Sequence, residues 1–379
     1  MKKKKDQKVI LLLTAFFIGC FGGGLIAGKI LKNISPGSLA LSGADKTAVL
    51  ITAFVSIFVS YLLIIIIHEA GHLVFGLLSG YKYLLFRVGS LTLIKRDNKF
   101  EFKKMSIKGT GGQCILMPPE TSEPEKVPFF LYHAGGGIFN LLTALIAFPI
   151  AFSISGIIIR TFLLVLGALS LVIGFTNLIP MIIQVPNDGY NIMMMLRKPS
   201  ERVAIYKTLK VNGLLFNGMT LSQIDPEILE LGSEGFYKGA EKLLKGQALI
   251  DKLDYEDAEK ILSEAANDDK IRYYQLESLS ELMFCKIMNS ASAEEIEKLY
   301  DQELAKFITA AGKTFISKRR LMYAYQLLIR HDAQAAEKEY QAAMKLKDTY
   351  PIEGEIISEL KLINDIKKRG EISNPESIS

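Results

Sequence analysis

Cysteine and histidine are scarce in this chain, and their spacing limits the sites it can build. Its 379 residues include three cysteines and four histidines. Cys20, Cys114 and Cys285 lie too far apart for a cysteine metal motif and predict no disulfide framework. The basic residues form no stripe interleaved with aromatic side chains, so the net charge of +5 does not indicate binding to nucleic acid.

Charged residues make up 22% of the chain and hydrophobic residues 49%. This mixture is too apolar for an ordinary soluble protein and too charged for a membrane bundle alone. We therefore predict a mainly α-helical chain in two parts. The first is a bundle of about four transmembrane helices with a small cytoplasmic or reentrant β element. The second is an α-helical soluble domain.

The predicted membrane part begins with an anchor at residues 1–32. Lysines precede an apolar run that is long enough to span a bilayer, which favours a retained helix over a cleaved signal peptide. A lipoprotein-type cleavage site ending at Cys20 is the alternative. Lys and Arg also concentrate in the loop between the second and third spans, which predicts a multi-pass cell-membrane protein with both termini cytoplasmic. The later apolar runs lie at 48–78, 129–153 and 157–177.

The second apolar run contains the pentad His68-Glu69-Ala70-Gly71-His72. On a helix, residues i and i+4 share a face, so His68 and His72 can direct ring nitrogens at one metal ion. Glu69 then stands where it could take a proton from a water molecule on that metal. Two core histidines and a buried glutamate are the alternative, but an unpaired carboxylate tolerates burial poorly.

A catalytic zinc site usually has three protein ligands, so the pentad needs a partner. Asp188 is the only acidic residue between positions 129 and 196, and it follows a segment broken by Pro180 and Pro186. Broken backbone at membrane depth is tolerated where it lines a site or is buried in protein. Ligation is favoured for Asp188 because it has no competitor. A helix-capping role is the alternative, and the two can coexist.

These residues together resemble the site-2 proteases, a family of intramembrane zinc metalloproteases. The resemblance covers about residues 48–196 and implies zinc held by His68, His72 and Asp188, with Glu69 as general base. The eleven-residue interval from Asn177 to Asp188 is longer than is usual in the family. The matching features are the pentad, Asn177-x-x-Pro180 with Asp188-Gly189, the small-residue helix 135–140 ending in Asn140, and the Gly111-Gly112 turn of a reentrant β-loop.

The resemblance implies hydrolysis of peptide bonds in membrane-embedded proteins or peptides by zinc-activated water. Such a substrate must unwind first, and it could pair with the strand that contains Gly112 and Gln113. Asn140 and Asn177 are expected to bind the substrate backbone or each other. The expected partners are the lipid bilayer, a membrane-embedded substrate and a protein bound by the helical domain.

The connecting β-loop is predicted at about 85–118, with alternating residues at 91–95 and 99–103 forming a hairpin. The region 200–370 is charged and helix-forming, and 371–379 is expected to be a disordered tail. Similar segments begin at Asp254 and Asp332, 78 residues apart, with a weaker echo at Ala293. Half that interval resembles tetratricopeptide-type helix pairs, and a plain helical bundle is the alternative.

Other function classes fit the sequence less well. A catalytically inactive membrane scaffold acting through its helical domain is the main alternative, but the complete set of pentad residues and Asp188 argues against it. A transporter-like channel would show an inverted repeat, which the sequence lacks. Membrane-anchored peptidases with a glutamate third ligand do not fit, because no suitable glutamate precedes the soluble region. His133 is expected at the membrane interface rather than on the metal, and His331 receives no role.

Overall fold

The computed structural model describes residues 43–96, 99–105, 110–182, 186–268 and 271–373. The anchor predicted at 1–32 and residues 374–379 of the predicted tail lie outside this part of the chain. The described residues form two compact units, one from residues up to 64 with 139–175 and the other from residues 65–138 with those from 176 onward.

The described chain is mainly helical and contains one small antiparallel sheet, which confirms the predicted fold class at this level. Short 3₁₀ turns lie at Pro124–Lys126 and Leu221–Gln223, and a π-helical turn lies at Tyr325–Ile329. The strands are β1 (Lys82–Val88), β2 (Leu91–Arg96), β3 (Lys99–Lys104) and β4 (Gly112–Met117). The helices are α1 (Gly43–Leu78), α2 (Phe130–Ser153), α3 (Ile157–Leu178), α4 (Asp188–Arg197), α5 (Pro199–Phe216), α6 (Pro226–Leu229), α7 (Tyr237–Asp251), α8 (Tyr255–Asp268), α9 (Arg272–Met288), α10 (Ala293–Leu299), α11 (Gln302–Ala311), α12 (Ile316–Ala324), α13 (Ala333–Lys347) and α14 (Glu353–Ser373).

Three of the described helical stretches are long and apolar enough to cross a membrane: Val49–Leu78, Pro124–Ser153 and Ile157–Leu178. Large apolar side chains such as Phe54 and Leu145 are exposed on them. A helix surrounded by lipid presents such side chains outward, so these stretches are compatible with membrane association. They coincide closely with the three apolar runs predicted after the anchor.

Within the first unit, α2 and α3 contact each other at a glycine of α3. Ala144, Ala147 and Ala151 are buried on α2. On α3, Gly167 lies so close to the ring of Phe148 that a Cβ there would be 3.1 Å from a ring carbon. Small side chains let two helix backbones approach each other, which is how apolar helices associate in a membrane.

The sheet in the second unit has the strand order β3-β2-β1-β4, and each neighbouring pair is antiparallel. The predicted hairpin is present, with Leu91 opposite Lys104 and Arg96 opposite Lys99. The sequence did not predict β1. A register shift between Tyr83 and Leu85 interrupts its pairing with β4, and the regular alternation of side chains is lost there.

The two faces of this sheet have different surroundings. One face buries Leu85 and Ile94 against Phe216, at the end of α5. The other face carries Phe100 and Phe102, whose side chains are 61% and 70% exposed. Glu101 is opposite Ile94 and therefore shares its face of the sheet. Neighbouring residues on a strand point to opposite faces, so Phe100 and Phe102 lie on the face away from Phe216.

The helical region contains a buried network of ion pairs. Lys318 and Arg320 on α12 are almost fully buried, and both bind Glu281 on α9, at 3.1 and 2.6 Å. Arg320 also binds Glu359 on α14 at 2.8 Å. Burial alone would raise the pKa of Glu281, but Arg320 and Lys318 lower it to about 2. For Glu359 burial outweighs Arg320 and raises the pKa to about 7.

The two segments that resemble each other in sequence begin with the same local turn. Leu253 and His331 both have positive φ, at 66° and 51°. Asp254 and Asp332 follow them, and each carboxylate accepts a hydrogen bond from the backbone N–H three residues further on. This is the arrangement of a helix cap, and α8 and α13 begin directly after it.

Candidate metal centre

His68 and His72 stand one turn apart on α1, as the pentad predicts. Their Nε2 atoms are 3.1 Å apart, and the rings lie nearly perpendicular to each other. His72 is buried and His68 is half-buried. Two ring nitrogens this close together on one helix face can both ligate one metal ion.

The ring of His72 is held by a residue that the sequence did not single out. Its Nδ1 lies 2.7 Å from the carbonyl oxygen of Tyr132, near the start of α2. A carbonyl oxygen only accepts hydrogen bonds, so Nδ1 carries a proton and Nε2 is the ring nitrogen that can face a metal ion. A hydrogen bond of this kind fixes the tautomer and orientation of metal-ligating histidines.

Asp188, 116 positions beyond His72, lies against both histidines. Its Oδ2 atom is 3.4 Å from Nε2 of His68 and 3.5 Å from Nε2 of His72. Burial raises the pKa of Asp188, but the two histidines lower it more, so the pKa lies well below its usual range. Asp188 is the first residue of α4, and the capping side chain belongs to Asn187. The helix-capping role, which was the alternative to ligation for Asp188, therefore belongs to Asn187.

The three donor atoms fit a small divalent cation. Their separations of 3.1, 3.4 and 3.5 Å form a nearly equilateral triangle. A tetrahedral zinc site with bonds of ~2.0–2.1 Å has donor atoms about 3.3 Å apart. Among the described residues, these three form the group of histidine and acidic side chains able to hold a metal ion. Two imidazoles and one carboxylate leave a coordination position for water.

Glycines on α1 and α2 lie beside the donor residues, where a larger residue would overlap its neighbours. A Cβ on Gly136 would lie 2.5 Å from Cε1 of His68 and 2.6 Å from Nε2 of His72. Directly before His72 and Gly136 in the chain, Gly71 and Gly135 face each other so closely that a Cβ on either would overlap the other's carbonyl oxygen. The backbones of α1 and α2 are therefore in direct contact beside the donor atoms, an approach that small residues alone permit.

Glu69 is buried, with 9% of its surface exposed, and it is not one of the three donor residues. Gly112 at the start of β4 covers it. A Cβ on Gly112 would be 2.5 Å from Oε1 of Glu69 and 2.7 Å from the side chain of Ile65. The structure thus brings together Glu69 and one of the four residues that were predicted to contact a substrate.

Arg87 on β1 is a further residue of the site that the sequence did not indicate, and it is fully buried. Its guanidinium donates to the carbonyl oxygen of Gly89 at 2.8 Å, to Oγ1 of Thr110 at 2.5 Å and to the carbonyl oxygen of Gly112 at 3.3 Å. Burial lowers the pKa of Arg87, and the nearby Glu69 carboxylate opposes this effect. Arg87 therefore ties the glycine-rich turn in place above Glu69.

The remaining predicted site residues are spread over both units. Gln113 is half-buried and pairs with Arg87 across the sheet. Asn140 is fully buried in the first unit, and Asn177 lies at the end of α3 in the second unit, so their role towards a substrate stays a prediction. His133 is buried and is not part of the metal-binding group.

No protein family, no curated protein and no solved structure matches this chain. What supports a function is the geometry of the metal centre and of the elements around it.

Proposed function

We propose that this chain is an intramembrane zinc metalloprotease of the site-2 protease type. One observation carries the proposal: His68, His72 and Asp188 converge within 3.5 Å of one another, with the buried carboxyl group of Glu69 beside them. A histidine pair on one helix, a distant carboxylate and an adjacent glutamate are the side chains that metal-assisted peptide hydrolysis needs.

Zinc is the metal we propose. Two histidines and one carboxylate also suit iron(II) in oxygenases. The buried glutamate next to the donor set favours hydrolysis, because a general base has a direct use there and none in oxygen chemistry. The metal content of the purified chain separates the two ions.

Zinc, when bound, acidifies a water molecule and polarises the carbonyl group of the peptide bond that is cut. Glu69 accepts the proton that this water loses as its oxygen bonds to the carbonyl carbon. The carbon–nitrogen bond then breaks, and Glu69 passes the proton to the departing amine. Asp188 and the two histidines hold their positions throughout, and Tyr132 keeps the His72 ring oriented.

The substrate class follows from where the pentad lies. His68, Glu69 and His72 belong to the stretch Val49–Leu78, which is long and apolar enough to cross a membrane. A site carried by such a helix is reached most directly by a substrate that is itself in the membrane. We therefore propose membrane-embedded proteins or peptides as substrates.

An unwound substrate could pair with the outer edge of β4. The hydroxyl group of Tyr132 already donates to the carbonyl oxygen of Cys114 at 3.2 Å. β4 is an edge strand of the sheet, and we propose that a substrate strand pairs at its beginning, at Gly112 and Gln113, before it meets Tyr132. This is also the end of the strand that covers Glu69, so pairing there would present the substrate to the general base.

We also propose the number of membrane spans and the location of the two termini. The anchor predicted at 1–32, together with the three long apolar helical stretches, gives four spans with both termini in the cytoplasm. The β2–β3 hairpin is proposed to lie at the membrane interface. Its exposed Phe100, Phe102 and Leu91 are accompanied by lysines at both ends of β3, a combination suited to the boundary between lipid headgroups and acyl chains.

The helical region is proposed to be a tetratricopeptide-like array that binds a protein partner. The shared turn before α8 and α13 supports a repeat, because both helices follow a residue with positive φ and an aspartate cap. In the scaffold alternative the metal centre is catalytically inactive, and the protein acts through this helical region alone.

Replacing Glu69 by glutamine tests the proposal and separates it from the scaffold alternative. We expect Glu69→Gln to retain zinc and to stop hydrolysis, so that a membrane protein or peptide accumulates uncut in cells. Glu101→Gln, on β3, is the control and should change neither. If Glu69→Gln retains zinc and the membrane proteome and cellular phenotype stay those of the wild type, the chain is a scaffold.

A further inference from the structure

Asp188 reaches the two histidines from irregular backbone. α3 ends at Leu178 and α4 begins at Asp188 itself. Between them the chain contains Pro180 and Pro186, and its described contacts include one isolated bridge, between Ile182 and Pro186. A ligand at the first residue of a helix has no turn of helix before it to fix its position. Some other contact must set where this carboxylate lies.

The side-chain amide of Asn187 makes four hydrogen bonds at this point. Its Oδ1 accepts from the backbone N–H groups of Met181 at 3.0 Å and Tyr190 at 2.9 Å. Its Nδ2 donates to the carbonyl oxygens of Thr176 at 3.0 Å and Ile179 at 2.7 Å. A primary amide has two N–H donors and an oxygen with two lone pairs, so every hydrogen-bonding position of Asn187 is used.

These four bonds have two different functions. The bond from the Tyr190 N–H is an N-cap, which any short acceptor side chain can supply. The bonds to Thr176 and Ile179 reach the last turn of α3 and the residue just after it, where helix carbonyl groups lack partners in their own helix. Asn187 therefore joins the end of α3 to the start of α4 through one rigid group.

Gly189 holds Asp188 from its other side. A Cβ on Gly189 would overlap the carbonyl oxygen of Leu178, so the start of α4 lies directly against the end of α3. The residues immediately before and after Asp188 thus both contact the same helix end. The carboxylate between them has little freedom to move away from His68 and His72.

We infer that Asn187 is a positioning residue of the metal centre: its amide clamps the end of α3 to the start of α4 and so holds the Asp188 carboxylate at the two histidines. The inference rests on the proposed metal function. It also explains how the eleven-residue interval from Asn177 to Asp188 is accommodated, because the amide closes the longer loop onto α3.

Replacing Asn187 by serine separates clamping from capping. Serine caps a helix about as well as asparagine but has no amide N–H groups for Thr176 and Ile179. Asn187→Ala removes both functions. Asn191→Ser is the matched control, because Asn191 lies on the same helix and accepts one hydrogen bond, from the hydroxyl group of Tyr237 at 3.3 Å.

The experiment measures zinc affinity of the full chain in detergent micelles by competition with a chelator, and the visible absorption spectrum after loading with Co²⁺. We expect Asn187→Ser and Asn187→Ala to weaken zinc binding by about 10–100-fold, the usual effect of removing an outer partner of a metal ligand. Their cobalt spectra should differ from that of the wild type. Asn191→Ser should match the wild type in both, and circular dichroism should show that all variants keep their helices. Asn187→Thr repeats the test if the serine variant does not fold.

Wild-type affinity and an unchanged cobalt spectrum in Asn187→Ser would overturn the inference, because Asn187 would then act as a cap alone. Asp188→Ala distinguishes this result from a failure of the proposed function. If Asp188→Ala loses zinc while Asn187→Ser does not, the proposed metal centre is retained and the positioning role of Asn187 is rejected. If the wild type itself binds no zinc, both are overturned.

Discussion

Gly112 lies directly against the carboxyl group of Glu69, so that a Cβ on the glycine would be 2.5 Å from Oε1 and 2.6 Å from Cγ. The two residues belong to different elements, the start of β4 and the helix α1. β4 can pass this close to Glu69 because it has no side chain at that position. Because Gly112 contacts Glu69 and is not one of the metal-donor residues, a change at Gly112 can affect the proposed hydrolysis without affecting metal binding.

The first prediction concerns Gly112→Ala. The added methyl group must displace either β4 or the Glu69 side chain, while His68, His72 and Asp188 are left in place. We expect zinc to be retained and cleavage of the accumulating membrane substrate to fall by about 100-fold, as a misplacement of ~1 Å can cause. Gly156→Ala is the control, because a Cβ there meets nothing within 4 Å. Unchanged cleavage by Gly112→Ala would show that this contact is not needed.

The second prediction concerns Gly136→Ala, which should affect metal binding directly. A methyl group on Gly136 would occupy the space between the two histidine rings, 2.6 Å from both Nε2 atoms. Alanine favours a helix by about 1 kcal/mol over glycine, so α2 itself should not be weakened. We expect Gly136→Ala to lose zinc while its circular dichroism spectrum stays that of the wild type. Stoichiometric zinc in this variant would contradict the donor geometry.

The pentad could be found in the sequence because helical spacing alone places His68 and His72 on one face. Asp188 could be named by elimination, since no other acidic residue lies between 129 and 196. The hairpin followed from the alternation of residues in β2 and β3. These inferences rest on local patterns or on composition, which is why the sequence contains them.

The residues that the sequence did not reveal act through contacts far along the chain. Tyr132 contributes a backbone carbonyl group, for which no side-chain pattern exists. Arg87 lies in β1, whose alternation is broken by the register shift, so its strand was not predicted. Asn187 was not singled out because aspartate and asparagine both cap helices, and only the structure shows that Asn187 is the cap.

The third prediction tests the position of the β2–β3 hairpin. The chain contains no tryptophan, so Phe102→Trp introduces a single fluorophore on the exposed face. In lipid nanodiscs we expect blue-shifted emission that brominated lipids quench, because an interfacial aromatic side chain contacts acyl chains. Tyr273→Trp, on α9 in the helical region, is the control, and brominated lipids should not quench its emission. Equal insensitivity of both variants to brominated lipids would place the hairpin away from the bilayer.

The fourth prediction concerns the buried ion network of the helical region. Burial raises the pKa of Glu359 from 4.5 to about 7, so the folded chain holds this proton more tightly than the unfolded chain. Its contribution to stability is therefore full below pH 4.5 and is lost as the pH rises through 7, with a change on the order of 3 kcal/mol. We expect Glu359→Gln to gain in unfolding temperature relative to the wild type between pH 5 and 8.

Thermal unfolding of the full chain in detergent micelles, followed by circular dichroism at several pH values, measures this difference. Glu256→Gln on the exposed surface of α8 is the control and should show a difference that does not depend on pH. A constant difference for Glu359→Gln as well would mean that Arg320 keeps Glu359 ionised in the folded chain throughout this range.

Metal analysis of the purified chain tests the proposed centre most directly. Elemental analysis by mass spectrometry should find about one zinc ion per chain in the wild type and in Glu69→Gln. It should find essentially none in His72→Ala or Asp188→Ala, because each of these loses one of three donor atoms that lie 3.1–3.5 Å apart. If Asp188→Ala holds as much zinc as the wild type, or if the wild type holds iron or no metal, the proposed zinc centre is wrong.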